Sequence, residues 1–325
     1  MARTSSGETA ATSVASEEKQ NSITALCTLD ISTIKIEPHD DLGIIIGNIP
    51  YRSSLTKIEG VTIDKFTQWI EPPKKHGRLF FYSSEYEILI VKYPISLVHE
   101  RLHGELYDRL RYQTYGTSLF NEMVGYGSTT YFPERLLCNN KQTIFLNNDP
   151  MISGSTTAGE GDSSLGLMVG SRNNGWPTIV IEAVWSQSKA ALVAKANWWL
   201  EASNGAVKIV LLAIGSPLRI QIEKWKASPI PPSPTAPSRP NTRLHAALLR
   251  EAERPKVYPP ILMIERSSTD TPRNNYRVIG SPLRLEFRDV LRRDPVPPEG
   301  DFLLQADELQ AYAKAVWNAL PDNDS

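Results

Sequence analysis

Two acidic residues stand where a divalent-cation site would need them. Glu182 lies inside the apolar run WPTIVIEAVWSQS, and Asp162 lies twenty positions upstream, where a Gly/Ser/Thr-rich loop runs into a short strand. The stretch GSRNNG between them predicts a turn between two strands, so we expect both carboxylates at neighbouring positions near one sheet edge. Carboxylate oxygens are the ligands that Mg²⁺ prefers, and bound Mg²⁺ activates water against a phosphodiester.

Each acid also has a simpler interpretation. Asp162 fits a turn or helix N-cap in a polar loop. Strand alternation puts Val180, Glu182 and Val184 on one face, where Glu182 would pair with a basic residue across the sheet or face solvent on an edge strand. An ionised carboxylate buried with neither partner nor metal is expensive, so its neighbours decide its role.

Alternating strands and helices are predicted to position these acids. LFFYSSEYEILIVKYP predicts two strands, and a helix follows from the N-cap Ser96 to Gly116. After WPTIVIEAVWS come a helix, SKAALVAKANWWLEASNG, and two strands, AVKIVLLAIG and LRIQIEKWKA. This order predicts an α/β or α+β protein, with a mixed sheet core flanked by helices.

Composition shifts divide the chain into four segments. Residues 1–24 are rich in Ser, Thr and Ala, which predicts a disordered tail. Residues 41–227 carry the predicted core, residues 228–243 a proline-rich extended linker, and residues 244–320 strands and a helix expected to pack on that core.

Charge and cysteine content exclude some classes. The 35 basic and 36 acidic residues nearly balance, so the net charge of the protein does not indicate a nucleic-acid partner. The two cysteines, Cys27 and Cys138, form no metal-ligand spacing. No apolar stretch reaches the roughly 20 residues of a membrane-spanning helix. We therefore expect a soluble intracellular protein, nuclear or cytoplasmic, without a membrane partner.

Three stretches together resemble a known family. GDSSLGL, then WPTIVIEAVWSQS, then a helix ending in WWLEASNGAVKIVLL, are similar to the PD-(D/E)XK nuclease-like superfamily, and most similar to its fungal branch. The stretch YEILIVKYPISLVHERLHGELYDRL is also similar, since those proteins begin their first core helix with a His-Glu pair. The resemblance covers roughly residues 80–225 and implies a restriction-endonuclease-like mixed sheet core flanked by helices.

The resemblance implies roles for particular residues. Asp162 matches the motif aspartate and Glu182 the second acid, and both would ligate one ion, with the backbone carbonyl of Ala183 as a further ligand. Glu100, at the start of the first core helix, matches an acid that supports the metal or a ligand. His99 matches less well.

The chain departs from the family motif at one position. Val184 stands where the motif has lysine, two residues after the second acid. In some members the lysine lies on the following helix, so Lys195 or Lys189 would replace it here, and Gln187 is a further candidate for orienting water.

Two functions follow as expectations. The first is Mg²⁺-dependent phosphodiester hydrolysis, with Mn²⁺ as a substitute, by a nuclease with a degenerate motif acting on nucleic acid. The alternative is a catalytically inactive nuclease-like module that binds nucleic acid or a protein. A protein partner would have a ready docking segment in the proline-rich linker.

Overall fold

The computed structural model describes most of the chain. The described residues are 22–49, 55–70, 78–92, 96–127, 129–132, 138–139, 142–143, 156–168, 175–185, 189–227, 256–268 and 276–320. The predicted linker 228–243 and residues 1–21 of the predicted tail lie outside them.

Strands and helices alternate along the described chain, as predicted. The strands are β1 (Ser32–Lys35), β2 (Leu55–Glu59), β3 (Arg78–Ser83), β4 (Ile88–Lys92), β5 (Met123–Gly125), β6 (Cys138–Asn139), β7 (Gln142–Thr143), β8 (Thr157–Ala158), β9 (Ser163–Leu167), β10 (Ile179–Trp185), β11 (Ile209–Gly215), β12 (Arg219–Lys226), β13 (Lys256–Glu265), β14 (Arg277–Ile279), β15 (Leu283–Leu285) and β16 (Phe302–Leu304). The helices are α1 (residues 22–27), α2 (Leu42–Gly47), α3 (Ile63–Ile70), α4 (Leu97–Tyr112), α5 (Leu119–Glu122), α6 (Lys189–Ala202), α7 (Phe287–Leu291) and α8 (Ala306–Trp317).

A seven-stranded mixed sheet forms the centre of the molecule. Its order is β14-β13-β12-β11-β10-β9-β5, with β10 and β11 parallel and the other neighbours antiparallel. The sequence IVIEAVW of β10 suits an interior strand, because β-branched residues pack well on both faces of a sheet. The chain is therefore a mixed α/β protein, and the predicted fold class is confirmed at that level.

Helices α4 and α6 cover opposite faces of this sheet. Ile181 and Ala183 of β10 share one buried cluster with Leu102 and Leu106 of α4. Val180 and Val184 belong to a second cluster that contains much of α6. Side-chain alternation along β10 thus sends successive residues to different helices.

Helix α6 is buried on both of its broad sides because a second sheet covers its outer side, and beyond its first two residues only Val193, Asn197 and Glu201 are partly exposed. This five-stranded sheet has the order β1-β2-β4-β3-β8, and its Phe80 and Phe81 pack in the same cluster as Trp198 and Trp199. The Trp198 ring meets the Phe81 ring edge to face, with centroids 5.9 Å apart. Helix α6 lies between two apolar layers and buries residues on more than one side, which explains why two consecutive tryptophans are both buried.

Packed structure begins earlier in the chain than the sequence predicts. The composition of residues 1–24 predicts a disordered tail, but α1 begins at residue 22, and Ile23 and Leu26 are buried in the cluster around α6. Strand β1 then pairs in parallel with β2, so the prediction that the core begins at residue 41 is wrong. A short apolar segment in a polar sequence does not by itself predict packed structure, because its burial depends on residues far away in the sequence.

The C-terminal elements complete the α4 layer. Strands β13 and β14 extend the seven-stranded sheet, and α8 packs on α4. The hydroxyl of Tyr312 donates to the carbonyl of Leu102 at 2.8 Å. Within the described residues, no helix has the length and apolarity needed to cross a membrane.

The close approach of β9 to the chain before β10 gives a testable prediction. A Cβ at Gly166 would lie 2.8 Å from the Cα of Pro177 and 2.7 Å from the Tyr126 ring. We expect Gly166→Ala to lower the free energy of unfolding by about 1–3 kcal/mol, measured by urea denaturation, because overpacking forces the backbone to shift.

The control is Gly47→Ala at the end of α2, where a Cβ would meet nothing within 4 Å. There alanine should leave stability unchanged or raise it by up to about 1 kcal/mol, because alanine has the higher helix propensity. Equal losses at both glycines would contradict the packing argument.

Candidate active site

The carboxylate of Asp162 sits where strand pairing between β9 and β10 ends. The last register pair of this ladder is Ser163 with Ile181, so Asp162 lies just beyond it. The backbone N–H of Ala183 donates to Asp162 Oδ2 at 2.8 Å. At Ala183 the carboxylate of Asp162 thus takes the place of a carbonyl from β9 as the hydrogen-bond acceptor.

A lysine from the other sheet reaches the same place. Lys92 ends β4, and its Nζ donates to Asp162 Oδ1 at 2.9 Å, to Asp162 Oδ2 at 2.7 Å and to the carbonyl of Ala183 at 3.2 Å. Both side chains are less than a tenth exposed. The oxygens of Asp162 and Ala183 therefore converge on one positive charge.

His99 closes this cluster from the first turn of α4. Its backbone N–H is capped by Ser96 Oγ at 3.2 Å, as the predicted N-cap requires. Its Nε2 lies 3.2 Å from the carbonyl oxygen of Ala183 and 3.4 Å from Asp162 Oδ2. The donor Lys92 Nζ also lies 3.4 Å from this nitrogen, but the shortest contact is to the carbonyl acceptor, which favours the tautomer with the proton on Nε2.

The protonation of the cluster follows from these charges. Burial alone would raise the pKa of Asp162, but Lys92 and His99 outweigh it and hold this pKa well below its usual value. Burial would lower the pKa of His99, but the charge and hydrogen bond of Asp162, together with a hydrogen bond to Glu100, outweigh burial and raise this pKa. Asp162 is therefore an anion whenever the protein is folded near neutral pH.

Glu182 points from β10 towards α6. It is fully buried, and its Oε1 accepts a hydrogen bond from Trp199 Nε1 at 2.6 Å and lies 3.6 Å from Lys195 Nζ. The second oxygen, Oε2, is buried without a hydrogen-bond partner. Because β10 is an interior strand, the alternative in which Glu182 faces solvent at a sheet edge is wrong.

Lys195 is held in the layer between the two sheets. Its Nζ donates to the carbonyls of Phe80 and, at 3.1 Å, of Glu160, and lies 4.1 Å from the centroid of the Phe80 ring. Burial lowers the pKa of Lys195, while Glu182 raises it. Burial likewise raises the pKa of Glu182, against the opposing effect of Lys195 and with a further increase from the charge of Asp162.

The two lysine candidates have separate positions. Lys195 contacts Glu182, whereas Lys189 pairs with Glu223 of β12. Gln187 lies outside the described residues. Val184 is buried in the α6-facing cluster on the same face as Glu182, and the lysine that contacts Glu182 there is Lys195.

Glu223 provides an internal comparison for Glu182. The strand register aligns Glu182 with Leu212 and Leu212 with Glu223, which puts both acids on one face of the sheet. Glu223 also contacts a tryptophan N–H and an α6 lysine, through Trp225 and Lys189. Both of its oxygens accept hydrogen bonds, the first also from Gln221 Nε2 at 2.5 Å. Glu182 differs in its unsatisfied Oε2.

Glu100 lies beside this network and not inside it. Its carboxylate is 38% exposed and faces two histidines: Oε1 lies 3.5 Å from His99 Nδ1 and 3.3 Å from His103 Nε2. The second nitrogen of His103, Nδ1, lies 2.8 Å from Ser163 Oγ. Glu100 is therefore connected to Asp162 through His99.

Sequence reasoning missed two residues of this region. Lys92 is the polar end of the apolar strand ILIVK, and no local signal connects it to Asp162 seventy positions away. His103 did carry a signal, because HERLH in α4 places two histidines four residues apart on one helix face.

The donor set fits a hard divalent cation. Both oxygens of Asp162 and the carbonyl of Ala183 surround one cation position, and Glu182 Oε2 is a buried acceptor without a donor. Oxygen ligands of this kind are those of Mg²⁺. Comparison of the chain with models of protein families, with curated proteins and with solved structures found no match.

The contact between Lys92 and Asp162 gives a second prediction. Removing one partner of a buried pair leaves the other charge uncompensated, so we expect Lys92→Met and Asp162→Asn each to cost about 3–5 kcal/mol of unfolding free energy. The double variant should lose at least about 1 kcal/mol less than the sum, because the two residues act on each other.

The matched control is the more exposed pair Arg219 and Glu265, whose side chains are 58% and 29% exposed. The cycle Arg219→Met with Glu265→Gln should give a coupling of at most about 1 kcal/mol. Strictly additive losses at Lys92 and Asp162 in chemical denaturation would show that the buried pair is not coupled.

Proposed function

We propose that this chain is a Mg²⁺-dependent phosphodiester hydrolase of the nuclease-like kind, acting on nucleic acid. The observation that carries the proposal is Glu182 Oε2, a buried acceptor with no donor among the described residues. The carboxylate of Glu182 is close enough to Asp162 for the charge of Asp162 to raise its pKa, and the oxygens of Asp162 and Ala183 converge on one cation. A buried acceptor without a donor is costly, and a metal ligand role removes that cost.

The arrangement of elements supports the restriction-endonuclease-like core that the resemblance implies. Asp162 precedes β9, Glu182 lies on β10, and helix α6 follows before the parallel strand β11. Helix α4, which carries His99 and Glu100, covers the other face of the sheet. Asp162 thus directly precedes the strand that pairs with the strand of Glu182, which supports the proposal.

Asp162, Glu182 and the carbonyl of Ala183 would hold the ion. Bound Mg²⁺ supplies an acidified water and charge stabilisation at the phosphate. Trp199 and Lys195 fix one oxygen of Glu182, so the other stays available as a ligand. Mn²⁺ would bind to the same oxygen donors.

Lys92 is better placed than Lys195 to stabilise negative charge on the phosphate. Lys195 Nζ donates to the carbonyls of Phe80 and Glu160 and lies 3.6 Å from Glu182, so its ammonium is held by these groups and acts as a positioning residue. Lys92 Nζ lies among the oxygens that would hold the ion. Metal binding would release its ammonium for a phosphate oxygen.

A second candidate function rests on the same lysine. Lys92 and His99 already neutralise Asp162, so the fold needs no metal at this position to offset the buried charge. A catalytically inactive nuclease-like module that binds nucleic acid or a protein would have this property. The two functions differ in metal binding, which only the hydrolase requires.

The third prediction tests the ligands by calorimetric titration with Mg²⁺ and Mn²⁺. We expect one ion per chain in the wild type and at least about tenfold weaker binding in Glu182→Gln, which removes the ligand charge while keeping the shape. Glu223→Gln is the matched control: it changes a buried acid on the same sheet face and should bind the ions like the wild type.

Metal-dependent nicking of plasmid DNA and cleavage of single-stranded RNA are the activity readouts. The hydrolase predicts activity in the wild type and in Glu223→Gln, and a loss of at least about 100-fold in Glu182→Gln, typical for removal of a group that stabilises the transition state. No ion binding and no cleavage in any protein, with salt-dependent DNA binding retained, would favour the inactive module instead.

A further inference from the structure

We propose that His99, Glu100 and His103 at the start of α4 form a binding site for Zn²⁺, separate from the site of Asp162 and Glu182. One ligand atom of each residue faces the others, and the three atoms all lie within 4.8 Å of one another. This proposal does not depend on the proposed hydrolase, since it uses other ligand atoms and a softer ion.

The helix creates the arrangement. Residues four apart lie on the same face of an α-helix, so His99 and His103 stack along α4, with ring centroids 5.1 Å apart. Glu100 turns its Oε1 towards both rings, 3.5 Å from His99 Nδ1 and 3.3 Å from His103 Nε2. Here the glutamate faces the same point as the imidazoles, as a third ligand would.

These separations match those around a tetrahedral zinc ion. Metal–ligand distances of about 2.0–2.1 Å in a tetrahedron place neighbouring ligand atoms about 3.3–3.4 Å apart. The two contacts of Glu100 Oε1 lie within about 0.2 Å of that spacing.

Both imidazoles are already oriented for ligation by their other nitrogens. His99 Nε2 faces the carbonyl of Ala183 at 3.2 Å and Asp162 Oδ2 at 3.4 Å, while its buried Nδ1 makes no hydrogen bond of good geometry. His103 Nδ1 lies 2.8 Å from Ser163 Oγ. Metal-binding histidines typically show this pattern, in which an outer partner fixes the tautomer and the ring.

Burial and ligand type select the ion. Both histidines are more than nine-tenths buried, and Glu100 is partly exposed, so solvent reaches the site from the carboxylate side. Two imidazoles and one carboxylate are the protein ligands of open zinc sites, with water in the fourth position. Imidazole disfavours Mg²⁺ relative to zinc, which separates this site from the all-oxygen donors of Asp162 and Ala183.

The test is titration of the intact, metal-free protein with Zn²⁺ alone, followed by calorimetry, and with Co²⁺, followed by visible absorption. We expect one high-affinity ion per chain. Binding should weaken at least about tenfold in Glu100→Gln and in His103→Asn, because even outer partners of metal ligands contribute that much. The shorter amide side chain of the His103→Asn variant would retain the contact on the Ser163 side, and circular dichroism reports whether each variant is folded.

Two further variants make the result specific. Glu105→Gln changes an acid on the same helix that pairs with Arg101 and Arg109, and it should bind Zn²⁺ like the wild type. Ser163→Ala removes only the outer partner of His103 and should weaken binding about tenfold, at the lower end of the range for such partners.

Zn²⁺ affinity unchanged in both Glu100→Gln and His103→Asn would overturn the proposal. So would a loss in Glu182→Gln that matches the loss in Glu100→Gln, because the ion would then occupy the acid pair. Failure of Mg²⁺ binding with intact Zn²⁺ binding would overturn the proposed hydrolase alone, and the reverse result would overturn the zinc site alone.

Discussion

The neutralisation of two carboxylates around β10 is the constraint on which the centre of this protein depends. Asp162 and Glu182 are both buried, and each is met by a lysine from a different element: Lys92 from β4 and Lys195 from α6. Charges in a protein interior are tolerated only when they are paired and hydrogen-bonded. The two sheets and the helix between them are therefore held in register by electrostatics as well as by apolar packing.

The layering around α6 follows from this constraint. The helix is buried against both sheets, and its one central cation, Lys195, donates to carbonyls of β3 and of the chain before β9. Phe80 belongs to β3 of the five-stranded sheet, and Glu160 lies shortly before β9 of the seven-stranded sheet. A small displacement of either sheet would break a contact to a buried ammonium, which makes the layer resistant to sliding.

Comparison of two buried glutamates separates structural from functional use of the same residue type. Glu182 and Glu223 lie on one sheet face, and each contacts a tryptophan and an α6 lysine. Glu223 has donors on both oxygens, as a structural acid should. Glu182 leaves one oxygen without a donor among the described residues. That difference is the physical basis for proposing metal-dependent chemistry at Glu182.

The sequence by itself determined the local elements and the candidate acids. Alternation and caps predicted the strand of Glu182 and helix α4 from Ser96, because these signals are carried by neighbours in the chain. The HERLH spacing was equally readable, since it depends only on helical geometry. Helix α1 was not, because its few apolar residues are stabilised by distant partners.

Only the tertiary structure decided which charges meet. Lys92 and Asp162 are seventy residues apart in the sequence. On α6, Lys195 contacts Glu182, whereas Lys189 contacts Glu223. No local pattern distinguishes the two lysines, which lie on the same helix; the packing of α6 between the sheets does. Pairing of buried charges depends on the three-dimensional positions of whole layers, and a one-dimensional pattern does not encode those positions.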